Sequence, residues 1–295
     1  MTRGQRLILA TGATGGQGGS TARAALNSGL RVRALVRPSE LESPQARALA
    51  SAGAELVVGD FSDADSLRAA MVGVNAVFSM QPDGAPTSDF AALVDAALAA
   101  NVEQYVHSTV SGVRAQELVL DQHPDDPKRD YWLAKIAQER TVRAAPFRYK
   151  TYLRPSLVLD NLFLRAAFMY PRLATHGDFL IAMEPTQPIA YVTYETIGKV
   201  AAAAFDAPER FDGAELELAD VYISHADLAA ALGEVTGKIV TVTSVDERTA
   251  VEMGLAPRVA HSHRWLTEVG YPARPAMLAP YGIEPIELRS WLASR

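Results

Sequence analysis

The 295-residue sequence has no cysteine, which removes disulfides, thiolate metal sites and cysteine nucleophiles from consideration. It also lacks any long apolar run. No window approaches the roughly 18 uncharged apolar residues that a membrane span needs. The run before the first glycines, "RLILA", is five residues long, too short for the core of a secretory signal. Blocks of like charge are missing as well. The 28 Lys and Arg are set against 34 Asp and Glu, for a net charge of −6. Nucleic-acid binding draws on clustered positive charge, so no nucleic-acid partner is expected. Of the six histidines, only "HSH" at 261–263 forms a close pair, and that spacing does not put two ligands on one helical face. No metal is expected, and the cytoplasm is the compartment that suits these absences.

Apolar residues make up 48% of the chain and mean hydropathy is near zero. A chain of this length can bury a large core, and it has the size at which one domain acquires a second lobe. Strand-like and helix-like patterns alternate from the N-terminus. Strands are predicted at 6–11, 30–37, 54–60, 75–80, 103–110, 149–158 and 214–220. Between them lie helical patterns, the first closed by Gly29, the second by Gly53, and the third opened by Asp63 as N-cap. Regular βα alternation predicts an α/β fold, a doubly wound parallel sheet of the Rossmann kind, because each crossover must return over a face of the sheet. The nucleotide-binding domain is expected at 1–158 plus the strand 214–220, with a smaller substrate lobe made of 159–213 and 221–295.

"TGATGGQGGS" at 11–20 places five glycines between the first strand and the first helix. Gly12, Gly15 and Gly18 stand at three-residue spacing. In that setting glycines permit a tight turn, close approach of a pyrophosphate and close helix–strand packing, while the helix N–H groups face the anion. Gly12, Thr14, Gly15, Gly16, Gln17 and Gly18 are the expected cofactor contacts of this turn. On the second strand an acid suits the adenosine ribose of NAD(H), whereas arginine suits the 2′-phosphate of NADP(H). Arg37 holds that place, with Ser39 beside it, so NADP(H) is favoured over NAD(H). Asp60 and Phe61 after the third strand could receive the adenine, or Asp60 could simply cap a turn. Ser79, Met80 and Gln81 after the fourth strand are expected to border the cofactor.

Taken together, "TGATGGQG", "ALVR", "GDFSD", "VFSM", "YVHSTVSG", "KIAQE" at 135–139 and "TYLRPSLVLDN" resemble the NmrA-like branch of atypical short-chain dehydrogenase/reductases. The resemblance covers roughly residues 5–165 and, more loosely, the tail. It implies a reductase of quinones, dyes or other conjugated compounds, or a cofactor-sensing regulator without chemistry. An epimerase or dehydratase retaining NAD is a third reading, against which Arg37 argues.

"YWLAK" sets Tyr131 four residues before Lys135, on one helical face. The resemblance to short-chain dehydrogenases implies that Tyr131 exchanges the proton while Lys135 binds the nicotinamide ribose and lowers the Tyr pKa. A phenol with an ordinary pKa near 10 needs such a cation to work at neutral pH. Thr109 is the favoured third member over Ser108 and Ser111. Glu139 is expected to face a neighbouring helix or pair with a base. Pro155 and Ser156 would pass the nicotinamide, and Asn161, Phe163 and Tyr170 would begin the substrate lobe. With Trp132, Phe168, Met169 and Phe179 they predict an apolar pocket for a flat or conjugated small-molecule substrate, or else the lobe's own core. The reading leaves a homodimer open.

Overall fold

Short aliphatic strands alternate with helices through the first half of the computed structural model, which describes residues 6–81 and 84–295. In order they are β1 (Leu7–Ala10), α1 (Gly16–Asn27), β2 (Arg31–Val36), α2 (Pro44–Ser51), β3 (Glu55–Val58), α3 (Ala64–Ala70), β4 (Ala76–Met80), α4 (Thr87–Ala99), β5 (Gln104–Ser108), α5 (Val113–Val119), α6 (Arg129–Ala144) and β6 (Tyr149–Pro155). Caps follow local chemistry. Ser43 accepts from the Ala46 N–H at the start of α2, and Asp63 accepts from Asp65 and Ser66 at the start of α3. These side chains satisfy amide groups that a helix start otherwise leaves unpaired.

The strands form a seven-stranded parallel sheet in the order Glu215–Leu218, β6, β5, β4, β1, β2, β3. The chain begins in the middle at β1, winds outward to β3, and resumes at β4 on the other side of β1. That reversal between β1 and β4 is a topological switch point, where the carboxyl ends of the strands open a crevice. All four residues of β1 are buried, as a strand covered by helices on both faces requires. On one face Leu9, Leu67, Val77, Phe90, Leu93 and Tyr105 belong to one apolar cluster. Burying each such side chain contributes about 2 kcal/mol.

The chain divides into two compact units. The first holds residues up to Gln122, Arg129–Arg154 and Tyr194–Leu216; the second holds His123–Lys128, Pro155–Thr193 and Glu217–Arg295. The expected lobe 159–213 is thus split. The helix Tyr194–Asp206 belongs to the first unit because it packs against α1 at close range: a Cβ on Gly198 would lie 2.5 Å from the Ser20 carbonyl oxygen.

The sixth strand is also shorter than 149–158. It stops at Pro155, and Leu157–Val158 instead pair with Tyr191 and Val192 in a three-stranded sheet of the second unit. A polar core lies in that unit. The Tyr191 hydroxyl is 3.3 Å from His225 Nε2, Tyr170 and Phe179 present T-shaped ring contacts to His225, and His263 Nδ1 accepts from the Ala182 N–H. Burial lowers the pKa of His225 to about 3 and that of His263 to about 4. Among the described residues no helix is long and apolar enough to cross a membrane, and no cluster of His, Asp or Glu could hold a metal ion.

Candidate dinucleotide and active site

The glycine loop joins β1 to α1 at the switch point. Gly12 takes a left-handed conformation (φ 59°), and the Gly15 N–H donates to its carbonyl at 2.9 Å, closing a tight turn. A Cβ on Gly18 would stand 2.1 Å from the Thr11 carbonyl oxygen and 2.4 Å from that of Gly12. Only glycine lets α1 start this close to β1. Gly16 has a different neighbour: its Cβ would fall 2.1 Å from the Tyr194 ring, so this position serves helix packing. The first intrahelical amide is that of Gly19, which donates to Gly15 O at 3.0 Å, and no side chain caps the helix. The amides of Gly16, Gln17 and Gly18 therefore stand at an uncapped positive helix end, a fit for a pyrophosphate.

Beside the loop, Arg37 follows β2 and pairs with Glu40 across a single 3-10 turn, Pro38–Glu40. The hydroxyl of Thr14 donates to the other oxygen of Glu40 at 2.8 Å. Arg37 holds the Glu40 carboxyl below the usual carboxylate range, and Glu40 in turn raises the Arg37 pKa. Asp60 takes the turn-capping role: its Oδ1 accepts from the Ser62 N–H at 2.9 Å and hydroxyl at 2.7 Å, which lowers its pKa. Phe61 packs partly against the neighbouring apolar cluster.

On α6 the expected pair does come together. Lys135 Nζ lies 5.6 Å from the centre of the Tyr131 ring and donates to the Gln81 carbonyl at 3.1 Å. The Lys135 side chain is buried. Gln81 is itself fixed, donating to the Pro86 carbonyl at 2.6 Å and accepting from Gln138 at 2.9 Å. Gln138 was not singled out on the sequence, although it lies three residues beyond Lys135 and hence on the same face. Trp132 is fully buried core, with the Tyr131 ring edge-on at 5.2 Å.

The three hydroxyls near the end of β5 have separate fates. Ser108 donates to Gln17 Oε1 at 2.7 Å, tying β5 to the start of α1. Ser111 is completely buried and its oxygen has no partner. Thr109, favoured as the polarising hydroxyl, instead donates to Glu139 Oε1 at 2.7 Å. Glu139 is gripped by Arg154 through Nε at 2.9 Å and Nη2 at 2.8 Å, and Arg154 also meets Glu215 at 2.7 Å. A carboxylate held this way is a strong acceptor, so the Thr109 hydroxyl is committed to a buried ionic network. Ser79 needs a similar correction. It is wholly buried, and its hydroxyl meets His107 Nδ1 at 2.8 Å, its register neighbour on β5. Burial, with Lys135 adding repulsion, lowers the His107 pKa to about 3. Met80 does border the loop, its sulfur 3.0 Å from where a Gly12 Cβ would be.

The second unit carries the other expected positions. Pro155 and Ser156 are buried, and the Asn161 side-chain oxygen is buried without a partner. Phe163 is half exposed, 6.0 Å from the Trp291 ring, and Phe168 is also exposed. Tyr170 and Phe179 are core residues of that unit, 1% and 0% exposed. They are not available as pocket walls.

The sequence profile of the NmrA-like family matches residues 4–288. The chain belongs to the NmrA-like family. A curated relative, the NAD(P)H azoreductase of Xenophilus azovorans, is 27% identical over 241 residues, covering 81% of this chain and 77% of its own. Among solved structures, the triphenylmethane reductase of Citrobacter sp. superposes with a TM-score of 0.77 at 20% identity, with 98% of each chain covered. The NADPH-dependent quinone oxidoreductase of Escherichia coli, solved with NADPH, superposes at 0.76 and 22% identity over 98% of this chain and 99% of its own. At these identities the two structures establish the doubly wound fold.

Proposed function

We propose that this NmrA-like chain is an NADPH-dependent reductase of flat, conjugated acceptors. The observation that carries the reading is the Tyr131–Lys135 pair on α6, with the ammonium buried and held by the Gln81 carbonyl. The named activities of its relatives, on azo compounds, triphenylmethane dyes and quinones, support the acceptor class.

The glycine turn and the free amides of Gly16, Gln17 and Gly18 suit a pyrophosphate, and Arg37 suits an adenosine 2′-phosphate. When bound, NADPH supplies the hydride. The protein's residues then manage position and proton. Lys135 is held in one place by Gln81, which Gln138 and Pro86 lock in turn. Its charge beside the Tyr131 ring stabilises the phenolate that forms when the hydroxyl gives its proton to the reduced acceptor. Neither Ser108 nor Thr109 is assigned to this relay, since Thr109 is bound to Glu139 and Ser108 to Gln17. Asn161 and Phe163 of the second unit are the proposed substrate-side positions, Pro155 is the proposed nicotinamide-side one, and the two units are proposed as the nucleotide-binding and substrate-binding parts. NADPH oxidation with a panel of azo dyes, quinones and triphenylmethane dyes, in wild type and Tyr131→Phe, tests the reading.

A further inference from the structure

The turn after β2 places a carboxylate against Arg37, the residue that the dinucleotide reading gives to the adenosine 2′-phosphate. Arg37 and Thr14 come from the two segments that flank this position, the end of β2 and the glycine loop. Both donate to one side chain: Arg37 to one oxygen of Glu40, Thr14 to the other at 2.8 Å. The carboxylate thus takes the charge and the hydrogen bonds that a 2′-phosphate would use. Packing does not call for an acid here. Glu40 ends a 3-10 turn that contains no buried residue, and its side chain is 28% exposed.

Resting on the dinucleotide reading of the loop, we propose that Glu40 sets the choice of cofactor. Its carboxylate competes with the 2′-phosphate of NADPH for Arg37 and Thr14, and it accepts a hydrogen bond from the free 2′-hydroxyl of NADH. The chain therefore uses both dinucleotides. When the 2′-phosphate enters, Arg37 must turn from Glu40 to the new anion, and the displaced carboxylate remains as a like charge nearby. When NADH enters, Arg37 and Glu40 stay paired and the carboxylate is the acceptor that the ribose needs. A doubly charged phosphate facing a partly solvated carboxylate weakens binding by about tenfold.

Glu40→Gln tests this, because it keeps size and the Thr14 contact while removing the charge. The intact protein is titrated without acceptor by NADPH, NADH, 2′-phospho-AMP and AMP, following protein fluorescence. Glu40→Gln is expected to bind NADPH and 2′-phospho-AMP about tenfold more tightly, with a smaller gain in about 0.5 M salt. NADH affinity stays level or falls by a few-fold. If NADPH affinity is unchanged or weaker in Glu40→Gln, Glu40 merely orients Arg37 and the proposal is overturned. If wild type binds NADPH but not NADH, the claim of dual use is overturned. If wild type binds none of the four, the dinucleotide reading itself falls, and this proposal with it.

Discussion

Moving from pH about 7.5 to about 5.5 should remove about 4 kcal/mol of folding stability, through three histidines that are buried as neutral rings. His107 and His225 are fully buried and His263 nearly so. Burial lowers their pKa from 6.5 to about 3, about 3 and about 4. The sign follows from the direction of these shifts. Below 6.5 the unfolded chain takes up protons that the native rings refuse, so acid favours unfolding. Stability is complete above 6.5 and drains away as pH falls towards the native values. Each group costs about 1.4 kcal/mol over these two pH units. Carboxylates with lowered pKa, such as Glu40 and Glu215, are linked with the same sign but at lower pH. Their stabilisation is lost only below about pH 4.5, outside this window. Urea unfolding followed by tryptophan fluorescence at the two pH values measures the loss. Two of the three rings lie in the second unit, which should lose about twice as much as the first. His225→Phe keeps the aromatic contacts with Tyr170 and Phe179 and should reduce the pH dependence by about a third. Stability that is level within about 1 kcal/mol between the two pH values would refute the neutral-core argument.

Gly18→Ala should destabilise the chain by about 3 kcal/mol, because the added Cβ meets the Thr11 and Gly12 carbonyl oxygens at 2.1 and 2.4 Å and the backbone must give way; thermal unfolding checks this. Glu139→Gln should cost a similar amount, about 3 kcal/mol, because it breaks the buried pair with Arg154 and leaves that guanidinium with Glu215 alone. Thr109→Val removes only one hydrogen bond to the same network and should cost about 1 kcal/mol, and urea unfolding of both variants ranks them.

The alternation of strands and helices could be read from the sequence because its periodicities are local, and so could Tyr131 and Lys135, four residues apart on one helix. What could not be read depends on long-range partners. The sixth strand looks continuous to Val158, yet Leu157 and Val158 pair with Tyr191 and Val192, more than thirty residues away. Gly16 looks like a phosphate contact alone, but Tyr194 on a distant helix also requires the glycine, since it lies where a Cβ would be. Ser79 is turned to His107 by the β4–β5 register. Thr109 is taken by Glu139, whose own orientation depends on Arg154 from β6. Glu40 was open to local reasoning, three residues after Arg37, but its link to Thr14 appears only when the loop is folded.

The central claim is that a bound reduced nicotinamide is used for chemistry, with Tyr131 as proton donor. Absorbance of the reduced nicotinamide band, followed with azo, quinone and triphenylmethane acceptors, tests it directly. Wild type should consume NADPH in step with acceptor reduction. Tyr131→Phe should bind NADPH as before and turn over about a hundredfold more slowly. NADPH that binds and is oxidised by none of these acceptors, or a Tyr131→Phe rate equal to wild type, would contradict the account.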